Sequence, residues 1–106
     1  MNYKTYKQIE CASGLKMSVQ ARDGLYCSPR YGEPDRHYTK VEIGYPSVEE
    51  PLIMDYAEDQ NHPTDTVYAY VPVPVVTLVI AKHGGIVDGE LPPGIPYLRA
   101  IKKEGA

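Results

Sequence analysis

The stretch from Val71 to Ala81 constrains this chain most. It is the longest apolar run in the sequence, and Pro72, Pro74 and Thr77 interrupt it. A bilayer-spanning helix takes about 20 apolar residues, so the run is too short and too broken to cross a membrane. It belongs to a folded core, as either strand or helix. Its valine content favours strand. Its spacing favours helix, because Val75/Val76, Val79/Ile80 and His83 recur every three to four residues. The ends decide. Pro72 or Pro74 fits a first helical turn. Lys82 and His83 lie where cations complement the helix dipole, and Gly84 stands where a left-handed cap is needed. The pattern predicts a helix over residues 72–83.

Upstream the period changes to two. Residues 3–11 and 15–21 alternate as strands, with Leu15, Met17, Val19 and Ala21 on one face of the second. Ala12-Ser13-Gly14 is the hairpin loop between them. Arg22-Asp23-Gly24 predicts a tight turn, and residues 25–28 begin a third strand, which makes a three-stranded meander. Residues 29–37 form a Pro/Gly loop. Residues 38–45 are the clearest strand, with Val41 and Ile43 on one face, and Pro46 ends it. Ser47-Val48-Glu49-Glu50 resembles a helix start, but Pro51 limits any helix there to a turn. Residues 57–65 read as a polar loop. Residues 66–71 read as a strand with Tyr68 and Tyr70 facing the same way. Residues 86–91 form a last strand or ribbon around Asp88-Gly89, residues 92–96 an extended arm, and the tail is basic. The expected architecture is a single α+β domain over residues 1–106: a small antiparallel β-sheet or partial barrel with one main helix at about 72–83.

Composition narrows function. The N-terminus has no apolar secretion region, so the expected compartment is a cytoplasm. Net charge is −3, and residues 41–96 carry Lys82 against nine acids. Duplex DNA is not the expected partner, since binding it needs a broad basic surface. Cys11 and Cys27 read as reduced, partly buried thiols, and with three scattered histidines they show no zinc-ligand spacing. The acids Glu49, Glu50, Asp55, Glu58, Asp59 and Asp65 lack the spacing of a calcium loop and read as a solvated surface. Cys27 could pair with His37 or His83 as nucleophile and base, but nothing in the spacing singles that pair out. No motif for catalysis, metal or cofactor emerges, and a chain of this size has a small core that favours self-association.

The aromatic balance points to binding. The chain has ten Tyr and no Phe or Trp. Tyrosine offers a flat apolar face with a polar tip, which suits ligand sites and subunit interfaces. Tyr26-Cys27-Ser28-Pro29-Arg30-Tyr31 places an arginine between two tyrosines at a strand end. Arg30 can make two parallel hydrogen bonds to a phosphate while a tyrosine stacks on a base. Arg36 and Arg99 are the next candidates, and Tyr70 offers a further aromatic face. Arg22 sits at the Asp-Gly turn, where only a second nucleotide site would use it.

Three blocks carry a family resemblance: LYCSPR (25–30), TKVEIGYPS (39–47) and DTVYAYVPVPVVTLVIAKHGG (65–85). Together they resemble the first-described Thoeris anti-defence proteins of phages, over roughly residues 15–90. The resemblance implies a sponge in the host bacterial cytoplasm. Such proteins bind a cyclic ADP-ribose signal made by bacterial TIR-domain proteins without cleaving it. They assemble from dimers into hexamers, and some hold cyclic oligonucleotides at a separate site. It implies phosphate contacts from an arginine after an early strand and one near the C-terminal end, by position Arg30 and Arg99. The alternative is a protein-binding inhibitor of a host defence complex, of anti-CRISPR or nuclease-inhibitor type, with the acidic middle segment mimicking nucleic acid. A small enzyme built on Cys27 or a Tyr/His pair is the third reading.

Overall fold

The computed structural model describes residues 4–101. Five strands, β1 (Ile9–Cys11), β2 (Lys16–Gln20), β3 (Lys40–Gly44), β4 (Val67–Pro72) and β5 (Ile86–Asp88), form one open antiparallel sheet in the order β4-β3-β2-β1-β5. One α-helix, α1 (Val73–Lys82), and a six-residue 3₁₀ helix (Pro51–Tyr56) complete the fold. This is the expected α+β architecture. Among the described residues no helix is long and apolar enough to cross a membrane.

The sheet is one-sided, as period-two sequences dictate. Ile9, Cys11, Leu15, Met17, Val19, Ala21, Val41 and Ile43 are all buried, and Val76, Val79 and Ile80 of α1 and Ile53 of the 3₁₀ turn join the same core. The helix ends as its sequence predicts. Pro72 is the N-cap, and Pro74 lies in the first turn. Past His83 the Gly85 N–H donates to Ile80 O at 2.9 Å and the Gly84 N–H to Ala81 O at 3.1 Å. That bond pair is the Schellman cap, and Gly84 supplies its left-handed residue at φ 87°.

The strand boundaries differ from expectation in two places, and the start of the first expected strand, Tyr3, lies outside the described residues. Residues 4–8 do not join the ladder as expected. The Gln20 side-chain amide satisfies the Tyr6 backbone instead, accepting from Tyr6 N at 2.8 Å and donating to Tyr6 O at 2.6 Å. The third strand of the meander, residues 25–28, is not formed. Leu25 N–H donates to Arg22 O, closing the expected Asp-Gly turn, and Cys27 N–H then donates to Leu25 O at 2.8 Å. The chain is still turning there, and Pro29 offers no N–H to extend a ladder. β3 takes the place beside β2, and residues 25–28 keep only the Ser28–Lys40 bridge. The basic end of the tail, Lys102 and Lys103, lies outside the described residues.

Glu50 corrects the picture of a uniformly solvated acidic segment: it is 1% exposed. Its Oε2 accepts from Leu52 N at 2.6 Å and caps the 3₁₀ turn. Its Oε1 lies 2.8 Å from both Lys82 Nζ and His83 Nε2. Burial alone raises a carboxyl pKa, but the bonds from Lys82, Leu52 and His83 outweigh it and hold Glu50 below its ordinary value. A depressed carboxylate contributes stability above its unfolded pKa and loses it as pH falls through the lower folded value. Glu50→Ala should therefore lower the unfolding free energy at neutral pH by about 2–3 kcal/mol, the scale of hydrogen bonds to a charged group. Urea titrations should show the wild-type advantage constant above about pH 5 and shrinking below about pH 4.

Candidate functional site

The β3–β4 pairing holds an irregularity that builds the site. Val41 faces Val71 and Ile43 faces Tyr68, so Glu42 alone stands opposite Ala69 and Tyr70. This is a β-bulge, which re-aims side chains. Tyr68 is fully buried, while Tyr70 is exposed. The expectation that both rings face the same way is corrected here: the extra residue turns Tyr70 outward. Its φ is +52°, a left-handed value that a bulky residue rarely adopts.

The bulge ties Tyr70 to the segment after the Asp-Gly turn. Tyr70 N–H donates to Tyr26 O at 3.0 Å. The two rings meet at 5.8 Å between centroids, tilted by 44°. Glu42 Oε2 accepts from Tyr26 N at 3.2 Å. Arg30 completes the platform. Its guanidinium centre lies 5.8 Å from the Tyr26 ring and 5.9 Å from the Tyr31 ring, within cation–π range. One Nη2 bond to Gly24 O at 3.0 Å steadies it, and the side chain stays exposed. Tyr26, Tyr31, Tyr70 and Arg30 therefore come together.

Arg36 has a different place. Its side chain is only 9% exposed. Nε donates to Pro29 O at 3.1 Å, Nη1 to Glu33 O at 2.8 Å and Nη2 to Arg30 O at 3.1 Å. Its Nη2 also lies 2.8 Å from Asp23 Oδ1, as an ion pair rather than an aligned hydrogen bond. The guanidinium centre sits 4.8 Å above the Tyr38 ring. Arg36 is the internal staple of the loop that carries Arg30, and its fork is already committed. Arg22 contributes its backbone carbonyl, accepting from Leu25 N and from Cys27 Sγ.

Arg99 lies elsewhere. Its segment pairs beside β5, at the opposite edge of the sheet from β4. There its guanidinium stands 5.4 Å from the Tyr97 ring, and Lys4 Nζ 4.8 Å from the Tyr6 ring. These four residues with Gly89, Glu90 and Leu91 line an open depression of about 410 Å³. Arg30 and Arg99, expected to share one ligand, therefore stand on two separate cation–tyrosine surfaces of the chain.

The other candidates resolve simply. Cys27 is fully buried; desolvation raises its thiol pKa, and its Sγ bonds to backbone carbonyls, so it makes no nucleophile–base pair with His37 or His83. Both cysteines are free and fully rather than partly buried. Among the described residues no group of three His, Cys, Asp or Glu side chains is placed to hold a metal ion. No known protein family, curated protein or solved structure matches the chain.

The left-handed Tyr70 backbone carries a strain of about 1–3 kcal/mol. Asn tolerates that conformation far better than tyrosine. Tyr70→Asn should therefore leave the unfolding free energy within about 1 kcal/mol of wild type, strain relief offsetting the lost ring contact. Tyr68→Ala, two residues away but fully buried, should cost about 3–5 kcal/mol in the same urea titration.

Proposed function

We propose that this chain binds and sequesters an anionic nucleotide signal of the cyclic ADP-ribose class, holding it without cleaving it, as a homo-oligomer in a bacterial cytoplasm. The observation that carries the reading is the bulge at Ala69–Tyr70, which holds a strained tyrosine against Tyr26 beside Arg30. Strain of this kind persists only where the surrounding structure holds it, and it clusters at functional sites; Tyr45 shares it at φ 50°, but only Tyr70 is set against a second ring beside an arginine. Tyrosine faces stack on adenine, and a guanidinium fork matches a pyrophosphate. The Arg36 staple sets the loop geometry in advance, which lowers the ordering cost of binding. The resemblance of residues 25–30, 39–47 and 65–85 to the phage anti-defence sponges supports the same ligand class, and with it a build-up from dimers to a hexamer. Arg99, with Lys4 and two tyrosines around its own depression, is where a second anion such as a cyclic oligonucleotide would be drawn.

An acidic inhibitor of a host defence complex is the second reading. It is favoured by Glu49, Asp55, Glu58, Asp59 and Asp65, all exposed on and around the 3₁₀ turn. Native mass spectrometry after incubation with a lysate containing an active TIR enzyme separates the two. A nucleotide released intact on heating supports sequestration, and a stably bound host protein in its place supports inhibition.

Calorimetric titration with cyclic ADP-ribose tests the site. Arg30→Ala should weaken binding by about 1.5–3 kcal/mol, on the order of ten- to a hundred-fold in Kd. Arg30→Lys should not restore it, because a point charge lacks the planar fork. Arg22→Ala should change little. Unchanged affinity in a folded Arg30→Ala protein would place the phosphate site elsewhere. Light scattering at micromolar concentration should show a particle larger than a monomer, and a monomer under all salt conditions would remove the oligomer from the proposal.

A further inference from the structure

The sequence offers no hint that Ser13, Glu50 and His83 meet, yet the fold lines them up. His83 Nε2 lies 2.8 Å from Glu50 Oε1, and His83 Nδ1 lies 2.7 Å from Ser13 Oγ. The buried, ionised Glu50 carboxylate can only accept hydrogen bonds. Nε2 must therefore carry a proton and donate it. In the neutral imidazole Nδ1 is then the free base, and the Ser13 hydroxyl donates to it. Leu15 N–H donates to the same Ser13 oxygen at 3.2 Å and holds it in place. The two main chains are tied together as well, because Ser13 N–H donates to the His83 backbone O at 3.0 Å. Ser13 itself is exposed at the β1–β2 loop.

We infer that Ser13, His83 and Glu50 form a general-base relay that makes the Ser13 hydroxyl an acceptor for activated apolar acyl groups. An exposed hydroxyl on a base, with the base oriented by a buried carboxylate, is the arrangement that activates a serine. The site shares no residue with the Tyr26–Tyr70–Arg30 platform, although Arg99 borders both the second proposed anion site and the depression beside Ser13. Its chemistry is balanced within the three side chains. Ser13 Oγ attacks the carbonyl carbon while its proton passes to His83 Nδ1. The imidazolium is stabilised by Glu50, whose Oε1 is shared with Lys82 Nζ at 2.8 Å. The bond to the leaving oxygen then breaks, and that oxygen takes the proton from Nδ1, leaving an ester on Ser13. Ala12, the adjacent residue, walls a mostly apolar depression of about 470 Å³ with Ile86, Val87, Ala100 and Ile101, and Arg99 is its one charged wall; its apolar side suits an acyl chain.

The loop offers the reaction no oxyanion hole. The N–H groups of Ala12, Ser13 and Gly14 donate to Gly85 O, His83 O and Cys11 O, and that of Leu15 to Ser13 Oγ. None is left to stabilise an oxyanion, a loss worth on the order of 10²–10³ in rate for one donor. Uptake and release of the acyl group both pass through an oxyanion, so both are slowed, and only a strongly activated donor acylates Ser13.

The test is labelling of the folded chain with an alkyl fluorophosphonate, followed by peptide mapping. There Ser13 Oγ bonds to phosphorus, fluoride leaves with its electron pair, and the Oγ proton goes through His83 to solvent. Ser13 should label on the order of a hundred-fold faster than the exposed Ser47, the usual worth of a general base. His83→Gln, which cannot take a proton, should abolish that difference. Labelling of Ser13 at the rate of Ser47, or at an unchanged rate in His83→Gln, would overturn the inference. Should that variant fail to fold, the Ser13 to Ser47 ratio in the wild-type chain decides by itself.

Discussion

One extra residue in β4 sets up the Tyr26–Tyr70–Arg30 platform. Without it, strict alternation would send Tyr70 to the same side as Tyr68, into a core already filled. With it, Tyr68 and Val71 both point inward although they are three apart, and Tyr70 is left to face out. The bulge also frees the Tyr70 N–H from the ladder, and that N–H holds the Tyr26 carbonyl. A single register shift thus preserves the core, aims an aromatic ring and anchors the loop that carries Arg30. The cost is a bulky residue in left-handed backbone, and the packed residues on either side of it hold the conformation in place.

Two charged groups taken out of water do the remaining structural work, by the same rule that a buried charge needs every partner it can find. Arg36 spends its guanidinium on three carbonyls and Asp23, and so fixes the path of residues 23–36. Glu50 spends its carboxylate on Leu52, Lys82 and His83, and so fastens the 3₁₀ turn to the end of α1. Through His83 the β1–β2 loop joins the same network. Rigid elements and a stapled loop then present exposed side chains in set positions, which favours recognition over adaptation.

Much of this was legible in the sequence where one local rule governed. The α1 helix could be read from Pro72, Pro74 and the Lys82-His83-Gly84 ending, because capping depends on adjacent residues. The inward face of β2 followed from Leu15, Met17, Val19 and Ala21. What stayed hidden depends on residues far apart in the chain. The bulge is a property of the β3–β4 register, so Tyr70 could not be told from Tyr68 by alternation. Arg36 and Arg30 are chemically alike, and only tertiary contacts divide them into staple and exposed fork. Glu50 sits in an acidic stretch that reads as solvated, and its partners Lys82 and His83 lie more than thirty positions away. The Ser13–His83 bond spans 70 residues, and no spacing rule reaches that far.

On the proposed function, the tyrosine pair created by the bulge is the nucleotide-binding face. Proton NMR of the assigned tyrosine rings during titration with cyclic ADP-ribose tests it most directly. Saturable ring-current shifts should concentrate on Tyr26 and Tyr70, together with the Arg30 side-chain N–H signal, while Tyr45 stays still. Shifts confined to Tyr6 and Tyr97, or none on any ring at saturating ligand, would contradict it.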